Sequence, residues 1–374
     1  MSDTLTKPLA AFSFFSGSGF LDVGFSRAGI EIVMVNEFYQ PFMLAYQHSR
    51  KVLGEPEPRF GYRQCDVNEF LDGNALHDWL ANKVSEARST GSLVGFIGGP
   101  PCPDFSIAGK QAGRDGKNGQ LSDVYRRIIV EQQPDWFVFE NVKGLWSTAK
   151  HRAYYEELHE SLAEAGYCLT DRLCNSLEFG APQDRDRVIL FGVKEDLCSD
   201  GLGDFDWNAH IVHDLDEVKA SSWPTTDPFV VGSVRPAPKG IIEELTVEHA
   251  FIANDVEHHP NANRFLKPKS PRIAEVDEGD TSRKSYKRPH RWRFSPTVAY
   301  GNNEVHLHPY KARRLSVAEA LSLQSLPKEF ELPNDMTLTD SFKTIGNGVP
   351  YRLAYGVAST IRDWVVNHVE SDSV

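Results

Sequence analysis

The sequence predicts an α/β fold in which a mostly parallel sheet carries helices on both faces. Two observations lead to this prediction. Between residue 10 and about residue 195, short apolar runs alternate with amphipathic stretches of helical period. Glycines also stand where the predicted helices should end, at Gly29, Gly91 and Gly166. Strands that alternate with helices pair in parallel, because each helix carries the chain back along the sheet.

The predicted strands are short apolar runs, which is typical of strands buried on both faces. They cover residues 10–15, 31–35, 93–97, 136–139 and 188–193. The predicted helices lie between them and cover residues 21–28, 41–47, 75–87, 121–132 and 153–165.

The pattern changes after about residue 197. Residues 200–312 are rich in Pro, Asp, His and Asn and show no sustained helical period, which predicts a separate small domain, loop-rich or β-rich. Ser316 and Glu319 have the spacing of a capping box and predict a helix that ends near Gln324. A last amphipathic helix is predicted over residues 351–366. We therefore expect a large domain (1–196), a small domain (197–339, including the 313–326 motif) and a segment that returns to the large domain (340–374).

Composition and cysteine usage set the broad class. The 374 residues are 40% hydrophobic and 25% charged, with no apolar run of about 18 residues and no apolar core near the amino terminus. None of the five cysteines lies in a Cys-x-x-Cys pair. These features predict a soluble, cytoplasmic protein without a membrane span or a metal site.

The charge distribution leaves two interpretations open. A net charge of −12 argues against a nucleic-acid partner when it is taken alone. A basic cluster nevertheless contains no acidic residue and consists of Arg283, Lys284, Lys287, Arg288, Arg291 and Arg293. Composition favours a solvated loop for this cluster, and a DNA-contacting surface is the alternative.

The first predicted strand ends in a glycine turn, Phe15-Ser16-Gly17-Ser18-Gly19, and Glu37 follows Gly17 by twenty positions. A nucleotide-binding fold places an acid there to bind ribose hydroxyls. The full G-x-G-x-x-G pattern is absent, since residue 22 is Asp. The turn therefore favours an adenosine ligand without a pyrophosphate, such as S-adenosylmethionine; the alternative is a tight turn beside a surface glutamate.

Cys102 lies in Gly98-Gly99-Pro100-Pro101-Cys102-Pro103, directly after a predicted strand. Prolines on both sides restrict the backbone and fix the direction of the thiol. A structural cysteine normally lies within an apolar run, so this position favours a nucleophile.

Three further side chains are candidates for the same crevice. Glu140 closes the strand at 136–139, where the alternative is a carboxylate that caps the next turn. Arg185 and Arg187 are two positions apart and share a face of an extended chain, which suits phosphate or base recognition. The alternative for the arginines is a pair of salt bridges to Asp184 and Asp186.

The order of these motifs resembles the DNA cytosine-C5 methyltransferase family. The chain contains, in the family's order, F-S-G-S-G, G-G-P-P-C-P-D-F-S, F-E-N-V, Q-D-R-D-R, R-R-L-S-V-A-E-A-L-S-L-Q-S-L-P and I-G-N-G-V-P. The resemblance covers residues 10–196 and 313–361. It implies a Rossmann-like methyltransferase sheet and a target-recognition domain.

The same resemblance implies roles for individual residues. Cys102 adds to C6 of a flipped-out cytosine, Glu140 contacts N3 and the exocyclic amine, Arg187 holds the O2 side, and Arg185 supports the same loop. Expected contacts to S-adenosylmethionine, whose product is S-adenosylhomocysteine, come from Phe15, Ser16, Gly17, Gly19, Glu37, Phe38, Asp66, Val67, Pro101, Leu121, Asn347 and Gly348. Expected contacts to double-stranded DNA come from Ser106, Gln183, Arg283, Lys284, Lys287 and Arg288.

The resemblance also implies a monomer that acts on chromosomal DNA, with a cognate restriction endonuclease as a further partner. It leaves the target DNA sequence open. The chain departs from the usual pattern at Ser13, Pro103 and Ile345, and none of these positions carries a catalytic group.

Three alternative functions remain at this stage. A tRNA cytosine methyltransferase would carry a Cys-Phe-Thr tripeptide, which is absent. A non-catalytic DNA-binding regulator would be expected to lose Cys102, Glu140 or an arginine. An adenosine-cofactor dehydrogenase is disfavoured by the missing pyrophosphate turn.

Overall fold

The computed structural model describes residues 7–101, 119–198, 201–267, 270–283, 285–297 and 306–368. Three of the predicted site residues, Cys102, Ser106 and Lys284, lie outside these ranges.

The helices and strands follow the predicted alternation in the first half of the chain. In order they are β1 (Leu9–Phe14), α1 (Phe20–Arg27), β2 (Glu31–Asn36), α2 (Gln40–Val52), β3 (Tyr62–Arg63), α3 (His77–Ser89), β4 (Leu93–Gly98), α4 (Gly119–Gln132), β5 (Trp136–Val142), α5 (Lys143–Ser147), α6 (Ala149–Glu164), β6 (Tyr167–Asn175), β7 (Gln183–Asp184) and β8 (Asp186–Lys194). The second half contributes α7 (Leu215–Ala220), α8 (Val247–Ala253), β9 (Ser295–Pro296), α9 (Val317–Leu323), α10 (Leu338–Asn347) and α11 (Tyr351–His368).

A seven-stranded sheet with the order β3-β2-β1-β4-β5-β8-β6 forms the centre of the molecule. The pairs from β3 to β5 are parallel, and β8 is antiparallel to both of its neighbours. Successive residues of β1 enter different cores: Phe12 packs with α3, α4 and α6, whereas Ala11 packs with α1 and α11. The predicted α/β fold with helices on both faces is confirmed.

Strand β6 was not predicted from the sequence. It is an edge strand, and most of its side chains are half-buried. Its sequence, Y-C-L-T-D-R-L-C-N, mixes polar and apolar residues and therefore lacks the apolar run that marks the central strands. Nine backbone pairings with β8, not an apolar run, define it as a strand.

The closing helix packs in the core on one face of the sheet. α11 lies against α1, and a side chain on Gly24 would place its Cβ 2.5 Å from Ala354 Cβ, so glycine allows the two helices to approach. The capping box of α9 is also present: the Ser316 N–H donates to Glu319 Oε2 at 2.7 Å, and the Glu319 N–H donates to Ser316 Oγ at 3.2 Å.

Residues 201–316 are loop-rich where the structure describes them. Their regular elements are α7, α8, short 3-10 turns and β9, whose pairing with β7 attaches this segment to the sheet domain. Phe205 stacks on Phe191 of β8, so the residues just after 197 still pack on the sheet. α9 packs on one side against α1 and α2 and on the other against α8. The domain boundaries themselves remain predictions. Within the described ranges, none of the helices has the length and apolar character needed to cross a membrane.

Candidate active site

The carboxyl ends of β2, β1, β4 and β5 lie side by side, because these strands are adjacent and parallel. The chain leaves this edge through residues 15–19, 37–39, 99–101 and the end of β5. Among the described residues, Glu37, Pro101 and Glu140 are therefore brought to one edge of the sheet, which is the usual ligand site of such folds.

The glycine turn after β1 has an unusual backbone. Phe15, Gly17 and Gly19 all have positive φ, at 53°, 56° and 87°. A side chain on Gly17 would meet no atom within 4 Å, so the backbone here is open to a ligand. A side chain on Gly19 would lie 2.8 Å from the ring of Tyr46, which packs against the turn from the other side.

Glu37 is fixed by two backbone donors. Gly17 N–H donates to Oε2 at 2.9 Å, and Tyr39 N–H donates to Oε1 at 2.7 Å. Burial raises the pKa of Glu37, and these two backbone hydrogen bonds oppose the shift. The neighbouring Phe38 ring is 68% exposed. A fixed carboxylate for ribose hydroxyls beside an exposed aromatic ring for a purine fits an adenosine group.

Replacing Glu37 with alanine is expected to weaken S-adenosylmethionine binding by roughly tenfold or more, because charged hydrogen bonds contribute about 1.5–3 kcal/mol each. Affinity for DNA should change little. Calorimetric titration measures both, with Glu31→Ala as the control, since Glu31 is exposed at the other end of β2. Unchanged cofactor affinity in Glu37→Ala would exclude the ribose role.

The other predicted cofactor residues occupy the rim of this edge. Ser16 Oγ donates to Asn36 O at 2.9 Å, and Asp66 is exposed and accepts the Asn68 N–H at 2.9 Å. Val67 is buried, Leu121 and Gly348 are half-buried, and Pro101 and Asn347 are exposed.

Two residues that the sequence analysis did not single out hold this rim together. Asn36 Nδ2 donates to the Cys65 carbonyl at 3.1 Å and so places the Asp66 loop beside β2. Thr344 Oγ1 donates to Ser18 Oγ at 2.8 Å, and both residues are buried. This hydrogen bond joins α10 to the glycine turn. Asn36 directly precedes Glu37, and Thr344 comes three residues before Asn347. This closeness to predicted cofactor residues was the only feature of the sequence that pointed to Asn36 and Thr344.

The catalytic side of the edge contains a buried ion pair. Arg187 Nε lies 2.8 Å from Glu140 Oε1, and both residues are buried. The pairing of β5 with β8 sets this contact, since Val142 lies opposite Arg187 in the register. Burial raises the pKa of Glu140, while Arg187 and Arg185 lower it. A carboxyl group with a raised pKa keeps its proton to higher pH and can act as an acid.

Gly99 places the loop after β4 directly on this pair. A Cβ at residue 99 would lie 2.5 Å from Glu140 Oε2, so only glycine lets the backbone approach the carboxylate. Asn141 Nδ2 donates to the Pro100 carbonyl at 3.4 Å and fastens the same loop to β5. In the sequence this loop continues through Pro101 to Cys102.

Arg185 has a different position from Arg187. It is buried, and its Nη2 donates to the carbonyls of Gly346 and Gly348 at 2.8 and 2.9 Å. Asp184 and Asp186 accept hydrogen bonds from Asn175 Nδ2 at 2.6 and 2.8 Å. Arg185 therefore supports the carboxyl end of α10 and the residue that follows this helix.

Comparison with known proteins agrees with this geometry. The model of the C-5 cytosine-specific DNA methylase family matches residues 9–363. The chain belongs to this family. It is 51% identical to the Type II methyltransferase M.NmeDI of Neisseria meningitidis serogroup C, over 97% of this chain and 86% of that protein. It is 29% identical to M.FnuDI of Fusobacterium nucleatum, over 94% of this chain and 93% of that protein.

A solved structure shares the fold. The Entamoeba histolytica methyltransferase EhMeth is 14% identical, with a TM-score of 0.57 over 98% of this chain and 100% of that chain. The protein is thus a DNA cytosine-C5 methyltransferase on the fold of S-adenosylmethionine-dependent enzymes. Enzymes of this family use S-adenosylmethionine as methyl donor.

Two DNA contacts predicted for the methyltransferase require correction. Arg288 is fully buried and donates to the carbonyls of Ile273, Val276 and His308, so it stabilises the fold and cannot reach a phosphate. Gln183 is also fully buried, and its Nε2 donates to the Leu323 carbonyl at 3.1 Å.

Three members of the basic cluster remain available to DNA within the described ranges. Arg283 is exposed, and Lys287 and Arg293 are half-buried. Arg291 is buried in an ion pair with Glu278 at 2.7 Å. The cluster is therefore neither a wholly solvated loop nor a continuous basic surface.

Proposed function

We propose that this methyltransferase modifies a flipped-out cytosine of double-stranded DNA through covalent catalysis by Cys102. The observation that carries the proposal is the buried Glu140–Arg187 pair at 2.8 Å, against which Gly99 places the loop that leads to Cys102. In this proposal Cys102 supplies the nucleophile, Glu140 the acid and Arg187 the cation, which are the groups that the reaction on cytosine requires.

In this proposal, Arg187 holds the O2 side of the ring and Glu140 donates its proton to N3. The protonated ring is electrophilic at C6, where the Cys102 thiolate adds and converts C5 into an enamine carbon. Bound S-adenosylmethionine supplies the methyl group as a sulfonium electrophile. Loss of the C5 proton to a base then restores the double bond between C5 and C6 and expels the thiolate, and the N3 proton returns to Glu140. Cysteine suits both the attack and the departure near neutral pH.

We assign the adenosine group to Glu37, Phe38 and the open turn at Gly17, and the adenine amino group to Asp66. The remaining predicted contacts are Phe15, Ser16, Gly19, Val67, Pro101, Leu121, Asn347 and Gly348. Residues 197–339 read the target sequence. Because relatives of the chain are named as Type II methyltransferases, we also propose a cognate restriction endonuclease for this enzyme, which acts as a monomer.

The direct test is transfer of an isotopically labelled methyl group to duplex DNA, with tRNA as the competing substrate. Label should enter duplex DNA as 5-methylcytosine, and bisulfite sequencing of DNA from expressing cells should give one short recurrent site. Label confined to tRNA would contradict the proposal.

A further inference from the structure

An exposed turn in the segment after the sheet carries three valines. We call residues 229–235 the valine turn. Val230, Val231 and Val234 are 54%, 64% and 94% exposed. Three large apolar side chains exposed within five residues form a local apolar surface, which is a feature of interaction sites.

The backbone of the valine turn is fixed. Ser233 N–H donates to the Val230 carbonyl at 3.2 Å, and Gly232 N–H donates to the Tyr310 carbonyl at 2.8 Å. Gly232 has φ +70°, a conformation that favours glycine. Because valine is β-branched and stiff, the exposed side chains have little conformational entropy to lose when a partner covers them.

Two arginines of the basic cluster hold the turn from inside the protein. Arg291 Nη1 donates to the Ser233 carbonyl at 2.5 Å and its Nη2 donates to Ser233 Oγ at 2.7 Å. The guanidinium of Arg288 lies 3.6 Å from the centre of the Phe229 ring. Two buried cations thus keep an apolar turn in one conformation.

The surroundings of the turn suit a polyanion. Two of the three acidic side chains next to it are paired with arginine, Asp227 with Arg235 at 3.2 Å and Glu278 with Arg291 at 2.7 Å, while the exposed Asp277 accepts the Phe229 N–H at 3.2 Å. Lys239 follows the turn and is exposed. In a chain with a net charge of −12, these ion pairs and Lys239 reduce the negative charge that a phosphate backbone meets at the turn.

The turn is also within reach of the active site along the chain. Arg291, which holds Ser233, is six residues from Thr297, so their Cα atoms are at most about 22 Å apart. Thr297 Oγ1 donates to the Asp184 carbonyl at 2.6 Å, and Arg187 follows three residues later, at most about 11 Å away. With the links from Ser233 to Arg291 and from Thr297 to Asp184 added, the whole path is at most about 50 Å, or about one and a half helical turns of duplex DNA.

We propose that the valine turn contacts the base pairs of the target duplex and contributes to sequence choice. This inference rests on the proposed function, in which residues 197–339 read DNA. Apolar side chains recognise base edges through van der Waals contact, most specifically with the methyl group of thymine. Such contacts add affinity for the cognate site without neutralising phosphates.

The test uses the full chain with Val230, Val231 and Val234 replaced together by serine, and Val234→Ser alone as a milder variant. Ile252→Ser is the matched control, because Ile252 is 70% exposed on α8 of the same segment. Affinity is measured against salt concentration for the duplex site found by bisulfite sequencing and for an unrelated duplex of equal length.

For the triple variant we expect cognate affinity to fall by about tenfold or more, and affinity for the unrelated duplex to fall by less than about twofold. The slope of log affinity against log salt should not change, since no phosphate contact is lost. Val234→Ser should show a smaller loss of the same kind. Replacing Arg283 and Lys287 with alanine should instead flatten the slope by up to about 2 and weaken both duplexes alike.

The inference would be overturned if the triple variant preferred the cognate duplex over the unrelated duplex as strongly as the wild-type enzyme does. It would also be overturned if the triple variant lost affinity equally for both duplexes. A wild-type dimer that becomes a monomer in the triple variant, measured by sedimentation, would assign the turn to self-association and also overturn it. Failure of the proposed function can be distinguished from failure of this inference, because the wild-type enzyme would then methylate no duplex at all.

Discussion

Replacing Cys102 with serine should lower the rate of methyl transfer to DNA by at least about a hundredfold. A serine hydroxyl is almost wholly protonated near neutral pH and is a far weaker nucleophile than a thiolate. The side chains have nearly the same size, so cofactor binding and folding should persist. Single-turnover transfer of labelled methyl groups measures the effect, and calorimetry with S-adenosylmethionine checks the fold.

Cys168→Ser is the matched control. Cys168 is half-buried at the start of the edge strand β6, opposite Val193, and so lies away from the carboxyl edge of the sheet. This variant should methylate at nearly the wild-type rate. A Cys102→Ser rate above about a hundredth of wild type would exclude Cys102 as the nucleophile.

Replacing Glu140 with glutamine should lower the rate by roughly 10²- to 10⁴-fold, the usual contribution of a positioned acid. Glutamine keeps the shape of the side chain but cannot deliver a proton to N3. Because it also leaves Arg187 without its carboxylate partner, the thermal stability of the variant must be measured beside its rate. Asp135→Asn is the control, since Asp135 is a buried partner of Arg88 at 2.8 Å and precedes β5, at the end of that strand opposite to Glu140.

The pH profile separates the acid from a purely structural carboxylate. Burial raises the pKa of Glu140, so the wild-type rate should fall as pH rises through that raised pKa and the proton is lost. Ionisation of Cys102 acts in the opposite sense and raises the rate with pH. The wild-type profile should be bell-shaped, and Glu140→Gln should lose the limb that falls at high pH. An unchanged falling limb in the variant would show that another group is responsible for it.

Local sequence patterns predicted the parts of the fold in which one kind of residue dominates. Apolar runs marked the central strands, and their carboxyl ends brought Glu37 and Glu140 to one edge as expected. β6 was missed because an edge strand with half-buried side chains has a mixed composition. Its strand character depends on backbone pairing with β8, which lies further along the chain.

Charged residues were harder to place than apolar ones. A run of arginines in the sequence does not reveal whether each guanidinium meets water or backbone carbonyls. Arg288 is buried because carbonyls from residues 12, 15 and 20 positions away converge on it. The role of Gly99 could not be predicted from the local sequence either, because its close approach to Glu140 depends on the packing of β4 against β5. The Pro-Pro-Cys loop and the Glu-Asn-Val motif could be predicted to meet, but the glycine contact between them could not.

The most direct test of the account is a trapping experiment with a duplex that carries 5-fluorocytosine at the target position. Fluorine cannot leave C5 as a proton does, so elimination should stall after the thiolate has added and the methyl group has been transferred. With S-adenosylmethionine present, the wild-type enzyme should form a complex with the duplex that survives denaturant, and Cys102→Ser should form none. Absence of the adduct with the wild-type enzyme at a verified site, or its persistence in Cys102→Ser, would contradict covalent catalysis by Cys102.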